Sequence, residues 1–188
     1  MTRKIRLAGI FLMVSLLWTP FLTAANTGLV PLTAAELNAK IKSADAKVTI
    51  VNLWATWCAP CKEEMPELVD LQKRFGPKGA ELVLVSGDSK DDLKKAEAFL
   101  EQTGVKFQSY HLAEAPDQFM KEFEANWPAV VPTTMAFDMN GRRIGYWIGR
   151  VPVKELKAKV EGALARLASQ AKIRSDQKDL RKSSRPAR

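Results

Sequence analysis

"NLWATWCAPC", residues 52–61, closes an apolar run and carries the chain's two cysteines, Cys58 and Cys61, with Ala59 and Pro60 between them. The run opens at Lys47, and "KVTIVNLW" (47–54) is continuously apolar and β-branched rather than alternating. That is the pattern of a central strand buried on both faces. The residues from Ala59 to Phe75 then repeat with helical period, so the cysteines sit at the start of a helix that follows a buried strand. Cys58 would lie at the helix N-terminus, where free N–H groups and the helix dipole favour a thiolate. Cys61, one turn in, would be shielded and suited to resolving a mixed disulfide. Pro60 lacks an N–H that the first turn does not need, and it stiffens the link between the two sulfurs.

Two plainer readings compete with a redox pair. A disulfide closing a loop of about four residues removes chain entropy worth roughly 2 kcal/mol, against about 3 for fifteen residues, so it is an inefficient staple. A zinc site needs four ligands, usually a second cysteine pair or histidines. The sequence offers one histidine, His111, and no further cysteine, so a metal site within this chain is disfavoured. His111 falls in a strand-like segment and reads as a surface or packing residue.

Working outward, Thr33-Ala-Ala-Glu36 is a capping-box pattern opening a helix to about Ser43, with Leu37 and Ile41 on one side. "ELVLVSGD" (81–88) reads as a second buried strand, residues 90–104 as an amphipathic helix stopped by Gly104, and 105–112 as a third strand. Residues 116–125 form a short helix with Phe119 and Phe123 inward. After Pro128 and Pro132, "TTMAFD" and "RRIGYWIG" are joined through Asn140-Gly141, the strongest hairpin signal in the chain. Val153, Leu156, Val160, Leu164 and Leu167 mark a closing amphipathic helix. This order predicts an α/β fold with a mixed central sheet flanked by helices.

The formal charge is +8, but the cations responsible lie at the two ends. Arg3, Lys4 and Arg6 stand alone at the start, and residues 169–188 carry seven Lys/Arg against Asp176 and Asp179. The stretch between is formally neutral, which argues against a nucleic-acid-binding face. The last segment, 169–188, reads as a basic, disordered tail, able to touch anionic lipid or an acidic partner. The first has the organisation of an export signal: three cations, the apolar "LAGIFLMVSLLW" (7–18), Pro20, then Thr23-Ala24-Ala25. Residues 1–25 are expected to be a signal peptide cleaved after Ala25 or an uncleaved membrane anchor. No cysteine near residue 20 allows a lipoprotein signal. Either way the domain, about 30–168, is expected outside the cytoplasm, periplasmic or extracytoplasmic, where disulfides persist.

The helix after the cysteines carries one anomaly. Met65, Leu68, Val69, Leu71 and Phe75 fall within about 80° of Cys61 around the helix axis, while Glu63, Glu67, Asp70, Lys73 and Arg74 lie opposite. Glu64 sits on the apolar arc between Leu71 and Phe75, three residues after Cys61. Partly buried there, its carboxyl should hold a proton more tightly and could exchange it with the Cys61 thiol. The alternative is that Glu64 reaches out from the margin of the arc into solvent.

With these residues in place, the sequence resembles the thioredoxin superfamily, and within it the exported TlpA/ResA-like branch, over roughly residues 30–168. "WATWCAPCKEEMPEL" is the most specific part: Trp57-Cys58-Ala59-Pro60-Cys61, Glu64 where ResA-like proteins carry an active-site glutamate, and Pro66 at the family's helix-kinking position. "VPTTMAFD" matches the cis-proline element, which implies a cis Val131–Pro132 bond with Pro132 facing the cysteines. Residues 90–125 resemble the branch's helix–strand insertion before that proline. Asn52 stands where cytoplasmic thioredoxins have a buried aspartate, so Glu64 is the candidate to replace that proton acceptor. The segment before Val48 reads as a thioredoxin-like helix rather than the β-hairpin common in TlpA-like proteins.

The resemblance implies a thiol–disulfide oxidoreductase of the cell envelope without cofactor. Its catalytic residues would be Cys58, Cys61 and Glu64, cycling through a Cys58–Cys61 disulfide, with Trp57, Val131 and Pro132 forming the docking groove. The partners would be disulfide-containing exported proteins, with apocytochrome c one candidate, and a thiol-reducing donor in the membrane; a monomer is expected. Three other readings stay open at this stage: a non-catalytic redox sensor or binding module on the same scaffold, a DsbA-like oxidant, and a peroxiredoxin. The oxidant is disfavoured by Ala-Pro between the cysteines and by the lack of a large helical insertion, the peroxiredoxin by the lack of a Thr-x-x-Cys element.

Overall fold

The computed structural model describes residues 28–43, 45–124 and 127–183. The signal-or-anchor segment expected over 1–25 lies outside them. Among the described residues, no helix is long and apolar enough to cross a membrane.

The chain folds as β1 (Leu29–Leu32), α1 (Ala34–Lys42), β2 (Val48–Trp54), α2 (Ala59–Phe75), β3 (Ala80–Ser86), α3 (Leu93–Gln102), β4 (Ser109–Leu112), α4 (Pro116–Phe123), β5 (Thr133–Asp138), β6 (Arg143–Ile148) and α5 (Val153–Ser183). The six strands form one sheet in the order β1-β4-β3-β2-β5-β6. β1 to β2 run parallel across that order, and β5 and β6 are antiparallel. The mixed sheet expected from the sequence is thus observed, with β2 near its centre and every β2 residue buried.

Strand alternation sorts two cores. Val48, Ile50 and Trp54 of β2, with Leu82 and Leu84 of β3, face a layer of α2, α3 and α5. Val51 and Leu53, with Val83 and Val85, face α1 and α4, where Leu37, Ile41 and Phe119 are buried. Asn52 shares the parity of Ile50 and Trp54, so β2 delivers a polar side chain to the α2 face.

Local chemistry explains the boundaries. Thr33 caps α1 reciprocally: its hydroxyl accepts from Glu36 N–H (3.1 Å), and Glu36 accepts from Thr33 N–H (2.8 Å). The β5–β6 turn places Gly141 at φ 73°, where a Cβ is disfavoured. Asp138 Oδ1 fixes that turn by accepting from the N–H groups of Asn140 and Arg142, each at 3.0 Å.

Two expectations need correction. Residues 29–32, unassigned from sequence, form edge strand β1, paired with β4. Four residues containing Pro31 give no period to read, and the edge position tolerates proline. The segment from 169 onward, expected to be disordered, instead continues α5 as far as Ser183. Its Ala, Lys, Arg, Gln and Leu are good helix formers, and no glycine or proline intervenes before Pro186. Composition reported the absence of a core there and said nothing about the backbone.

Candidate active site

The site is built where the C-terminal end of β2 meets the N-terminus of α2. Cys58 is the N-cap of α2, its Sγ accepting from Cys61 N–H at 3.2 Å, and the two cysteines are disulfide-bonded with their Cα atoms 5.3 Å apart. The cap places Cys58 in the field of the helix N-terminus, which favours negative charge on sulfur in the reduced state. Cys61 is fully buried and Cys58 retains 5% exposure, so the first cysteine is the one a partner can reach. Trp57 beside it is 70% exposed. Its ring lines a cleft of about 570 Å³ with residues that include Asp88, Lys90, Leu112 and Pro116.

The approach to Cys58 is held by a residue the sequence reading passed over as the end of a strand. Asp88 accepts from Thr56 N–H at 3.0 Å and from the Thr56 hydroxyl at 2.6 Å, and the Ser86 hydroxyl donates to it at 2.7 Å. These bonds pin the loop that carries Trp57 and Cys58 to the end of β3. The loop before β5 packs nearby through Val131. Val131–Pro132 is a cis peptide, and Val131 packs against both cores, including the cluster that holds Cys58 and Cys61. Ala129 has φ 56°, a left-handed conformation costly for a residue with a Cβ. Buried Trp127 anchors this loop through its indole N–H, which lies 3.1 Å from both Val130 O and Thr133 Oγ1. Neither Asp88 nor Trp127 has a local signal: each acts through partners brought close by the fold.

Glu64 is fully buried, so the reading that places it out in solvent does not hold. Asn52 Nδ2 donates to its Oε1 at 2.9 Å, and Val151 N–H donates to its Oε2 at 2.8 Å. Burial pushes the Glu64 carboxyl above its ordinary value of 4.5; the hydrogen bonds from Val151 and Asn52 and the charge of Arg150 pull the other way, and Glu67 adds to the rise. The neighbouring glutamates behave differently. Arg150 reaches Glu63 at 3.4 Å and Glu67 at 3.2 Å on the exposed side of α2. Residues 149–151 thereby touch both sides of the helix, and Gly149 N–H donates to Pro132 O at 2.8 Å. One short connector joins the cis-proline loop to the buried carboxylate.

The structure therefore brings together Cys58, Cys61, Glu64 and Trp57 from one loop and helix, and packs Val131, bonded in cis to Pro132, against the cluster that holds the cysteines. His111 stays apart, in β4, with Nδ1 2.9 Å from Leu112 O. Among the described residues, no group of three or more His, Cys, Asp or Glu side chains is placed to hold a metal ion.

Fold and site together define a thioredoxin-like thiol–disulfide oxidoreductase. The model of the AhpC/TSA family matches residues 27–142, and the chain belongs to that family. It is 29% identical over 128 residues to the thiol-disulfide oxidoreductase ResA of Bacillus thuringiensis, covering 68% of each chain. The crystal structure of a thioredoxin-related protein from Neisseria meningitidis serogroup B is similar with TM-score 0.53 and 34% identity, over 64% of this chain and 87% of that one. A thioredoxin-family thiol:disulfide interchange protein from Chlorobium tepidum shares the fold at TM-score 0.56 and 23% identity, over 73% and 96% of the two chains.

Proposed function

We propose that the protein reduces disulfides of exported proteins in the cell envelope, with Cys58 as nucleophile, Cys61 as resolving thiol and Glu64 as proton acceptor. The observation that carries this reading is the burial of Glu64 on the same helix face as Cys61 and one turn beyond it. The Cys58 thiolate attacks one sulfur of the substrate disulfide, forms a mixed disulfide and releases the other sulfur as a thiolate. Cys61 gives its proton to Glu64, attacks Cys58 Sγ and releases the second substrate sulfur. The substrate gains two electrons, takes one proton back from Glu64 and one from water, and leaves as a dithiol, and the protein is left with the Cys58–Cys61 disulfide. A thiol-reducing membrane protein returns the two electrons.

Trp57, Val131 and Pro132 form the surface on which the partner docks, beside Cys58. Residues 1–25 act as signal or anchor and place the domain outside the cytoplasm, where it works as a monomer without cofactor. Maturation of cytochrome c, by reduction of the apoprotein's cysteines, is the candidate process. Insulin-disulfide reduction tests the activity: the wild type accelerates it, Cys58→Ser abolishes it, and Cys61→Ser traps a covalent complex through Cys58. A Cys61→Ser protein that retains full activity and traps no partner contradicts these roles.

A further inference from the structure

Glu64 is held from two sides by donors of different kinds. Val151 N–H is a backbone group and can only donate, so Oε2 must remain an acceptor whatever the state of the carboxyl. A proton taken up by Glu64 therefore belongs on Oε1, which faces Asn52. In the geometry described, Asn52 Nδ2 points one hydrogen at Glu64 Oε1 (2.9 Å) and the other at Thr134 Oγ1 (2.9 Å). That arrangement suits the ionised carboxylate and conflicts with the protonated one, because two donors would face each other.

An asparagine has a remedy that an aspartate or an apolar residue lacks. Turning the amide over places Oδ1 where Nδ2 was. Its two lone pairs then meet Glu64 Oε1–H on one side and the Thr134 hydroxyl, now donating, on the other. Thr134 can follow because a hydroxyl both gives and accepts. All three side chains are fully buried, and Asn52 and Thr134 are register partners across β2 and β5. Asn52 Oδ1 accepts no hydrogen bond among the described residues, so turning over breaks no bond there, but it sets the amide N–H groups in that place, where no acceptor stands among the described residues.

We propose that Asn52 is a positioning residue whose amide turns over with the protonation state of Glu64, donating to the carboxylate and accepting from the carboxylic acid, with Thr134 reversing in concert. Neither β2 nor β5 presents a charge to Glu64 here. The charged neighbours are Glu67 and Glu63 on the exposed side of α2 and Arg150 on the connector to α5; Cys58 and Cys61, joined as a disulfide, do not titrate in this state. The device deepens the proposed proton role of Glu64 and rests on that role for its use in turnover. It keeps Glu64 Oε1 and Thr134 Oγ1 hydrogen-bonded in both charge states, and the cost falls on the Asn52 N–H groups, which lose their acceptors in the turned state.

The test is a pH titration of the oxidised, folded protein by NMR, following Glu64 13Cδ and the Asn52 side-chain 15NH2 group together. The Asn52 resonances should move with the Glu64 midpoint, and in Glu64→Gln that step should vanish. In Asn52→Leu, which removes one donor to the carboxylate, the Glu64 midpoint should rise by about one pH unit, a tenfold tighter hold on the proton. In Thr134→Val the midpoint should move less than in Asn52→Leu. Asn52 resonances that stay constant while Glu64 titrates would overturn the proposal, as would an unmoved midpoint in a folded Asn52→Leu protein. If Asn52→Leu does not fold, the wild-type titration decides alone. Failure to reduce a disulfide would sink the proposed function and leave this titration unaffected.

Discussion

The first turns of α2 and the last turns of α5 are both helical and both rich in charge, yet opposite things hold them. In α2 the three glutamates each have an address. Glu64 is buried against Asn52 and Val151, while Glu63 and Glu67 lie outside under Arg150. In α5 the described side chains from 168 to 181 are all exposed. Helix propensity suffices for that end, because the packed first half of α5 has already met the cost of nucleation. The difference teaches where chemistry can reside: only tertiary contact can desolvate a carboxyl and fix which oxygen faces which donor.

Substitutions in the two regions should therefore part company, most widely at Glu64. Glu64→Gln should lower insulin-disulfide reduction by about 10²-fold or more, the usual scale for losing a positioned proton acceptor, with Cys58 still able to form a mixed disulfide. An undiminished rate would remove Glu64 from the mechanism. A smaller effect concerns stability. Because burial raises the Glu64 value above 4.5, the folded state binds this proton more tightly than the unfolded chain does. Its stabilising contribution is complete below the unfolded value and is lost as pH rises through the folded one, at up to about 1.4 kcal/mol per pH unit. Denaturant unfolding across that window should show this slope in the wild type and a flatter profile in Glu64→Gln. At the far end of the scale, a stop after residue 168 should reduce the helical circular dichroism signal. It should change domain stability by about 0.5 kcal/mol or less and leave insulin reduction unchanged. A large loss of activity on that truncation would mean the exposed end of α5 has work in the reaction.

The same contrast explains what could be read in advance. Wherever a pattern and its burial coincide, the sequence was legible. The unbroken run from Val48 to Trp54, the Asn140-Gly141 turn, the Thr33–Glu36 cap and the arc containing Cys61 and Met65 led to β2, the β5–β6 hairpin, α1 and α2. Glu64 was visible as a charge on an apolar arc. Its surroundings were not: Val151 contributes a backbone N–H from 87 residues away, and Thr134, bonded to Asn52, enters only through the register of β5 against β2. Asp88 and Trp127 were hidden for the same reason. The end of α5 differs in the opposite direction: a basic composition signals the lack of a core there, while its helix formers still carry the backbone to Ser183. β1 was too short to carry any period.

The proposed function has this buried carboxyl and helix-capping cysteine serve a reductase. The reduction potential of the Cys58–Cys61 couple, measured at pH 7 against defined glutathione or dithiothreitol buffers, tests it most directly. A value toward the thioredoxin end of the range, about −270 mV, is the result predicted. A value near −120 mV, the level of a strong dithiol oxidant, would reverse the direction of electron flow and contradict the account.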